Sequence, residues 1–308
     1  MSILTINNLK VHYPIRGGLF RRKIDVVRAV DGLSLELQRG ETYGLVGESG
    51  SGKSTTGRSI IGLEEITEGE ITFEGQNLSE LRYRDRKEYY KDIQMVFQDP
   101  YSSLNPKKRV KDLIAEPIRN FENRSKEEEL KRVQELLEIV GLSPEVTYKY
   151  PHEFSGGQKQ RLGVARALAL NPKLIIADEP VSALDVSVQA QVLNFMKKIQ
   201  KDLNLTFIFI SHDLGVVRHM CDRIGIMYNG RFVEEGTAED VYENPQHIYT
   251  KRLVAAIPDI DPENRKEQAA FRRQVKEEYK ETEHNYFDEN GSVFDLKPVT
   301  DTHYVALP

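Results

Sequence analysis

The sequence predicts an α/β protein built around a parallel sheet, and three observations carry that prediction. Two short runs, Leu174-Ile175-Ile176-Ala177 and Phe207-Ile208-Phe209-Ile210, are apolar on both faces, as strands at the buried centre of a parallel sheet must be. Stretches with helical spacing lie between the strands, which implies right-handed helical crossovers. Tyr43-Gly44-Leu45-Val46 is a third apolar strand, and it runs through a glycine-rich turn into a helical pattern.

Along the chain, the first forty residues read as β structure. Leu9, Val11 and Tyr13 alternate with Lys10 and His12; Leu33, Leu35 and Leu37 alternate with Ser34, Glu36 and Gln38. Strict alternation predicts antiparallel strands with one wet face. Between them, Arg16 to Asp25 reads as an inserted loop. It holds most of the one basic cluster, Arg16, Arg21, Arg22, Lys23 and Arg28. So short a cluster reads as solvated loop. Further on, Ser125-Lys126-Glu127-Glu128 has the form of a capping box, Leu130, Val133, Leu137 and Val140 follow at helical spacing, and Gly141 stands where a C-terminal glycine belongs. After Ser187, the residues Val188, Val192, Met196, Ile199 and Leu203 predict a second amphipathic helix. Beyond Pro258 the charge density rises and the periodicity fades. That tail reads either as a loose extension or, through Phe271, Tyr279, Tyr286, Phe287, Phe294 and Tyr304, as one docked on a surface.

Composition excludes several classes of function. Lys and Arg number 43 against 48 Asp and Glu, a formal charge of −5. The segment from Asp259 to Pro308 holds 12 acids and 7 bases and so carries that whole charge. The body is near neutral, which argues against a nucleic-acid-binding surface. The single cysteine, Cys221, excludes an intrachain disulfide and a Cys-rich iron–sulfur site, and it reads as a small packed residue. No apolar run approaches the ~18 residues of a membrane-spanning helix. Met1-Ser2-Ile3-Leu4-Thr5 lacks the basic and apolar regions of a secretory signal. The expectation is a cytoplasmic chain that meets a membrane only through a partner.

The turn after Val46 is Gly47-Glu48-Ser49-Gly50-Ser51-Gly52-Lys53-Ser54-Thr55, which matches G-x-x-x-x-G-K-[ST] in the strand-then-helix context that confirms a phosphate loop. Glycines let backbone N–H groups of Ser49, Gly50, Ser51 and Gly52 converge on phosphate oxygens, and the helix N-terminus adds positive potential. Lys53 neutralises the β- and γ-phosphates, Ser54 offers a hydroxyl to Mg²⁺, and Thr55 reaches a phosphate. This much predicts nucleotide binding; kinases and GTPases share it.

The strand Leu174–Ala177 ends in Asp178-Glu179. Strand C-termini face the ligand crevice of open α/β sheets. Asp178 is placed to hold Mg²⁺ through water, and Glu179 to orient and deprotonate an attacking water. Phe154-Ser155-Gly156-Gly157-Gln158 adds a second helix start suited to an anion: Ser155 and Gln158 form a capping box, and the two glycines allow a phosphate close to the backbone. One chain has no need of two γ-phosphate sites; two chains facing head to tail do.

That last segment resembles the LSGGQ signature of ABC ATPases, with Phe154 in place of the first Leu. The resemblance implies an ABC-type P-loop ATPase with a parallel-sheet core, an N-terminal antiparallel β subdomain, a helical signature subdomain near 99–168 and a C-terminal extension. It gives an ATPase domain over 1–244 and an extension over 245–308, acidic from about 259. It also implies roles in family order. Gln98, in Phe97-Gln98-Asp99-Pro100, resembles the Q-loop glutamine that senses Mg²⁺ and water. Asp185, in Ser182-Ala183-Leu184-Asp185, resembles the D-loop aspartate. His212, in Ile210-Ser211-His212-Asp213, resembles the switch histidine at the γ-phosphate. Tyr13 matches the aromatic that stacks on adenine, with Phe20 as its rival because of the insertion at 16–25. The other six histidines receive no role.

Longer stretches, Phe97 to Pro106, Tyr150 to Gln158, and Asn244-Pro245-Gln246-His247-Ile248-Tyr249-Thr250 with Ala256-Ile257-Pro258, resemble the oligopeptide/dipeptide permease ATPases. The resemblance implies a bacterial importer driven by ATP and Mg²⁺. Its parts would be a second homologous ATPase, two membrane permease subunits and an external peptide-binding protein, with this chain peripheral at the cytoplasmic face. A dipeptide or nickel importer shares these motifs, and an exporter motor is the nearest other transporter. A ribosome-associated ABC ATPase is the non-transport alternative, and it normally carries two phosphate loops. A small-molecule kinase has no use for Phe154–Gln158, and a DNA-repair ATPase needs heptads that are missing.

Overall fold

The computed structural model describes residues 2–17, 22–82, 84–99, 103–258, 265–289 and 291–308. In chain order the main elements are β1 (Ser2–Gly17), β2 (Arg22–Gln38), β3 (Thr42–Val46), α1 (Lys53–Ile60), β4 (Glu68–Phe73), β5 (Gln76–Asn77) and β6 (Ile93–Val96). Helices α2 (Val110–Phe121), α3 (Lys126–Ile139) and α4 (Gly156–Ala167) follow. Then come β7 (Leu174–Asp178), α5 (Val186–Leu203), β8 (Thr206–Ser211), α6 (Leu214–Met220), β9 (Arg223–Tyr228) and β10 (Arg231–Thr237). The chain continues with α7 (Ala238–Glu243), α8 (Ile248–Ala256), α9 (Arg265–Thr282), β11 (Leu296–Pro298) and β12 (Tyr304–Ala306). Two compact units form, one from Gln38–Glu41 with Glu80–Ile210, the other from Ser2–Leu37, Thr42–Ser79 and Ser211–Pro308.

The first unit has β6, β7 and β8 in parallel register, Met95 beside Ile176 and Ile176 beside Ile208. Every residue of β7 and β8 is buried, which is why both read as unbroken apolar runs. Helices α2, α3 and α4 pack on one another. The Ser125 capping box forms as expected: its hydroxyl accepts from the Glu128 N–H while Glu128 accepts from the Ser125 N–H. Val133, Leu136, Leu137 and Val140 fill the inner face of α3. In α5 the predicted stripe is buried at Val192, Met196 and Ile199, but Leu203 is exposed. Asn204, at φ 49°, turns the chain out of the helix, and Leu205 takes the buried position instead.

The second unit contains two sheets. An antiparallel sheet runs in the order β2-β1-β4-β5, and Leu9, Val11, Leu33, Leu35 and Leu37 face its core. The segment 16–25 is not simply a loop. β1 continues to Gly17 and β2 starts at Arg22, so its flanks are strand; residues 18–21, with Phe20, lie outside the described residues. In the other sheet β3 runs parallel to β9, while β10 pairs antiparallel with β9 and β12. Cys221 is buried against the backbone of Gly44.

The described residues of the tail are docked. α9 packs on α8, burying Val275 and Tyr279. The β11–β12 hairpin extends the sheet at β10. At its centre His303 Nε2 lies 2.7 Å from Glu234, and both side chains are fully buried. Of the six tail aromatics, Phe271 and Tyr304 are exposed and contribute little to this docking.

Candidate functional site

In the second unit, β3 is buried throughout and delivers the chain into the loop 47–52. Ser51 N–H donates to the Glu48 carbonyl at 3.2 Å, closing the turn. Gly52, at φ 104°, is the cap of α1, and no side chain caps the helix there. A Cβ on Gly52 would stand 2.1 Å from the Ala29 carbonyl oxygen, so only glycine permits this approach. Lys53 is 4% exposed. Its ammonium donates to the carbonyls of Gly47 and Glu48, each at 2.8 Å, and to the Ser51 hydroxyl at 3.3 Å. The loop thus holds a desolvated positive charge at a helix N-terminus, where anions are favoured. Ser54 and Thr55 follow, half-buried in the first turn; Ser49 and Gly50 are exposed at the loop crest.

Tyr13 is exposed on β1, with its hydroxyl donating to Glu64 at 2.7 Å. Partial burial and that bond push its phenol up to about 12, so it stays neutral as an aromatic surface. His212 is exposed on the loop before α6. Asp213 fixes that loop by accepting from the N–H groups of Gly215 (2.8 Å) and Val216 (3.4 Å).

In the first unit, Asp178 ends β7 and is 1% exposed. Glu179 follows in a left-handed conformation, φ 45°, rare and costly for a residue with a Cβ. Its N–H donates to the Ile210 carbonyl at 2.9 Å, and its own carbonyl accepts from Ser182. Anchored so, its carboxylate accepts from Gln98 Nε2 at 2.9 Å. The structure therefore brings together two residues that the sequence places 81 positions apart. Ser155 and Gln158 form the expected box: Ser155 N–H donates to Gln158 Oε1 at 3.0 Å, and Gln158 N–H to Ser155 Oγ at 3.4 Å. Gly156 opens α4 behind that cap. Phe154 is buried, so the departure from Leu is an apolar anchor of larger volume. A Cβ on Gly157 would stand 2.5 Å from Val188 Cγ1; here glycine serves helix packing. Asp185 caps α5 by position only, without a side-chain bond to it. Of the stretch 97–106, residues 100–102 lie outside the described residues.

Among the described residues, no three His, Cys, Asp or Glu side chains gather into a metal cage. The candidate donors are the Ser54 hydroxyl, the Asp178 carboxylate and the Gln98 amide oxygen. All are hard oxygens of the kind Mg²⁺ prefers, the first in the second unit and the other two in the first.

Two contacts to the phosphate loop escaped the sequence reading. Glu48 N–H donates to the Tyr249 hydroxyl at 3.0 Å, and Arg252 pairs with the Glu48 carboxylate at 2.6 Å. The Asn244–Thr250 stretch drew attention to Tyr249, but nothing in the sequence points from it to a residue 201 positions away.

A phosphate loop leading off a central parallel strand, an acid-ended strand and a capped glycine pair opening a second helix define a nucleotide hydrolase of the ATP-binding-cassette class. Comparison with known proteins agrees. Residues 30–182 match the family model for ABC transporters, and residues 233–286 match that for the C-terminal region of oligopeptide/dipeptide transporters. The oligopeptide transport ATP-binding protein OppF of Lactococcus lactis is 57% identical over 307 residues, covering 100% of this chain and 96% of that one. Its counterpart AppF of Bacillus subtilis is 54% identical over 258 residues, covering 83% and 78%. Among solved structures, a post-hydrolysis cassette dimer bound to ADP and Pi superposes with TM-score 0.67 at 29% identity, over 76% of this chain and 98% of that one. The cbiO1 protein of Clostridium perfringens, part of an ABC transporter complex, gives 0.69 at 27%, over 82% and 95%. The chain belongs to the ABC transporter family as an ATP-binding, ATP-hydrolysing subunit. No described helix is long and apolar enough to cross a membrane.

Proposed function

We propose that the chain is the motor of an oligopeptide importer. It would pair with a second homologous ATPase beneath two membrane permease subunits, peripheral at the cytoplasmic face and served by an external peptide-binding protein. The observation that carries this reading is the end-to-end similarity to oligopeptide transport ATP-binding proteins, C-terminal region included. A likeness confined to the cassette would fit any transporter.

In this reading the N–H groups of Ser49 to Gly52 and the Lys53 ammonium hold the β- and γ-phosphates of ATP, with Thr55 on a phosphate oxygen. Tyr13 stacks on adenine. Mg²⁺, bound by Ser54, Asp178 and Gln98, would neutralise charge on the phosphate oxygens. Gln98 donates through nitrogen to Glu179, so its amide oxygen is the atom for the cation. Glu179 accepts the proton of the attacking water as that oxygen bonds to the γ-phosphorus and the bond to ADP breaks. His212 contacts the γ-phosphate. Ser155, Gly156, Gly157 and Gln158 bind the γ-phosphate of the partner's nucleotide, and Asp185 relays between the two chains.

Trapping tests both chemistry and assembly. Glu179→Gln should retain ATP binding while hydrolysis at this site falls by about 10²–10⁴. Full single-site turnover would remove Glu179 as the base. Tagged Glu179→Gln protein held with ATP and Mg²⁺ should recover a second ABC ATPase, two multi-spanning proteins and a peptide-binding protein from gently solubilised membranes. Recovery of ribosomes, or of this chain alone, would overturn the transport role and leave the ATPase intact.

A further inference from the structure

Glu48 is the second residue of the phosphate loop, and its N–H and its carboxylate are both held by one helix of the C-terminal region. Its N–H donates to Tyr249 Oη at 3.0 Å and its carboxylate pairs with Arg252 at 2.6 Å. Tyr249 and Arg252 lie three residues apart on α8, hence on one face. Both are backed by the tail. Tyr249 is fully buried, its ring 4.8 Å from that of Tyr228, which in turn lies 5.3 Å from Phe287. The Arg252 guanidinium sits over two rings, Tyr249 at 5.1 Å and Tyr279 of α9 at 4.5 Å. The start of α8 is fixed as well: the His247 N–H donates to buried Glu234 at 2.9 Å, and the Tyr249 N–H donates to His247 Nδ1 at 3.1 Å.

From this geometry we infer that Tyr249 and Arg252 are positioning residues for the nucleotide site, making the C-terminal region part of the machinery that shapes the phosphate loop. The inference rests on the reading that the loop binds ATP. The carbonyl of Glu48 also accepts from Lys53 Nζ at 2.8 Å. One residue is therefore gripped by α8 through its N–H and side chain, and by the phosphate-loop lysine through its carbonyl. Moving Glu48 moves one of the three acceptors that orient the Lys53 ammonium. A neutral phenol is needed to serve beside the Glu48 carboxylate, and burial keeps it so by pushing Tyr249 up to about 12.

The test compares full-length wild type, Lys53→Ala, Tyr249→Phe, Arg252→Met, Arg252→Lys and Glu48→Ala for ATP affinity, KM, kcat and thermal midpoint. Tyr249→Phe keeps the ring and deletes the acceptor. It should weaken ATP binding and raise KM by about three- to tenfold, the range expected of one hydrogen bond, while kcat and the thermal midpoint stay near wild type. Arg252→Met should have a comparable effect, Arg252→Lys should restore part of it, and Arg252→Met combined with Glu48→Ala should be no worse than either alone. Wild-type affinity in both Tyr249→Phe and Arg252→Met would overturn the inference. So would losses that track the thermal midpoint and add independently in the double variant, because that marks a purely structural role. Absence of ATP binding by wild type itself, matching Lys53→Ala, would instead overturn the reading of the loop on which the inference rests.

Discussion

The molecule opens two helices with glycine-rich segments, and they are built in opposite ways. At α4 the cap is made within the turn: Ser155 and Gln158 each accept the other's N–H. At α1 the cap is Gly52, without a side-chain bond, and a buried lysine folds back on the loop. Its outer shoulder, Glu48, is gripped from α8. The difference teaches that one helix start is capped within its own turn, whereas the other draws on a scaffold some two hundred residues away. In the proposed function the start at α4 meets another chain's nucleotide and gains from self-sufficiency, while the start at α1 holds its own and can be tuned through its support.

Variants at each start should separate the two. The largest effect is expected for Lys53→Ala, with ATP affinity falling by about a hundredfold or more, since a charge-assisted contact to phosphate is lost. Equilibrium binding checks it, and near-normal affinity would break the comparison at its root. Next comes acid. His247 is buried, lies 4.7 Å from the Tyr286 ring, and is held down to about 4 by burial. Unfolded histidine takes a proton near 6.5, so between about 6.5 and 4 the unfolded chain binds more protons than the folded one. Stability is therefore full above that window and falls as the pH drops through it, by about 3 kcal/mol at most from this group. Denaturant titrations across that range should show the slope, and His247→Phe should flatten it. Exchange protection at α1 should fall before that at α4. Smallest is Ser155→Ala, which removes one N-cap and should cost about 1 kcal/mol of stability while leaving ATP affinity of the isolated chain unchanged. A matching loss of ATP affinity would show that α4 also serves its own nucleotide.

Local chemistry made much of this legible from the sequence. The phosphate loop, the Ser125 and Ser155 boxes and the buried strands β7 and β8 each declare themselves within a few residues, because hydrogen-bond reach or strand period fixes the spacing. What stayed hidden was set by distant partners. The Gln98–Glu179 bond depends on parallel β6 and β7 ending side by side. Leu203 keeps the helical period yet is exposed, because Asn204 turns the chain one residue later. The tail lacks periodicity because its contacts are made by single anchors, His303 on Glu234 and Tyr279 under Arg252, not by a continuous apolar stripe. The flanks of 16–25 are strand, and their charge is what made them look like loop.

The hairpin that joins β10 has a consequence for how the chain is made. β10 emerges from synthesis about seventy residues before its partner β12. Until β12 arrives, β10 presents a row of unpaired backbone groups, a template on which any extended segment could lie. Once β12 is in place the outer strand is β11, three residues long and ending in Pro298, a poor template by its brevity and its missing N–H. The sheet is thus most adhesive while the chain is growing and least so once it is finished.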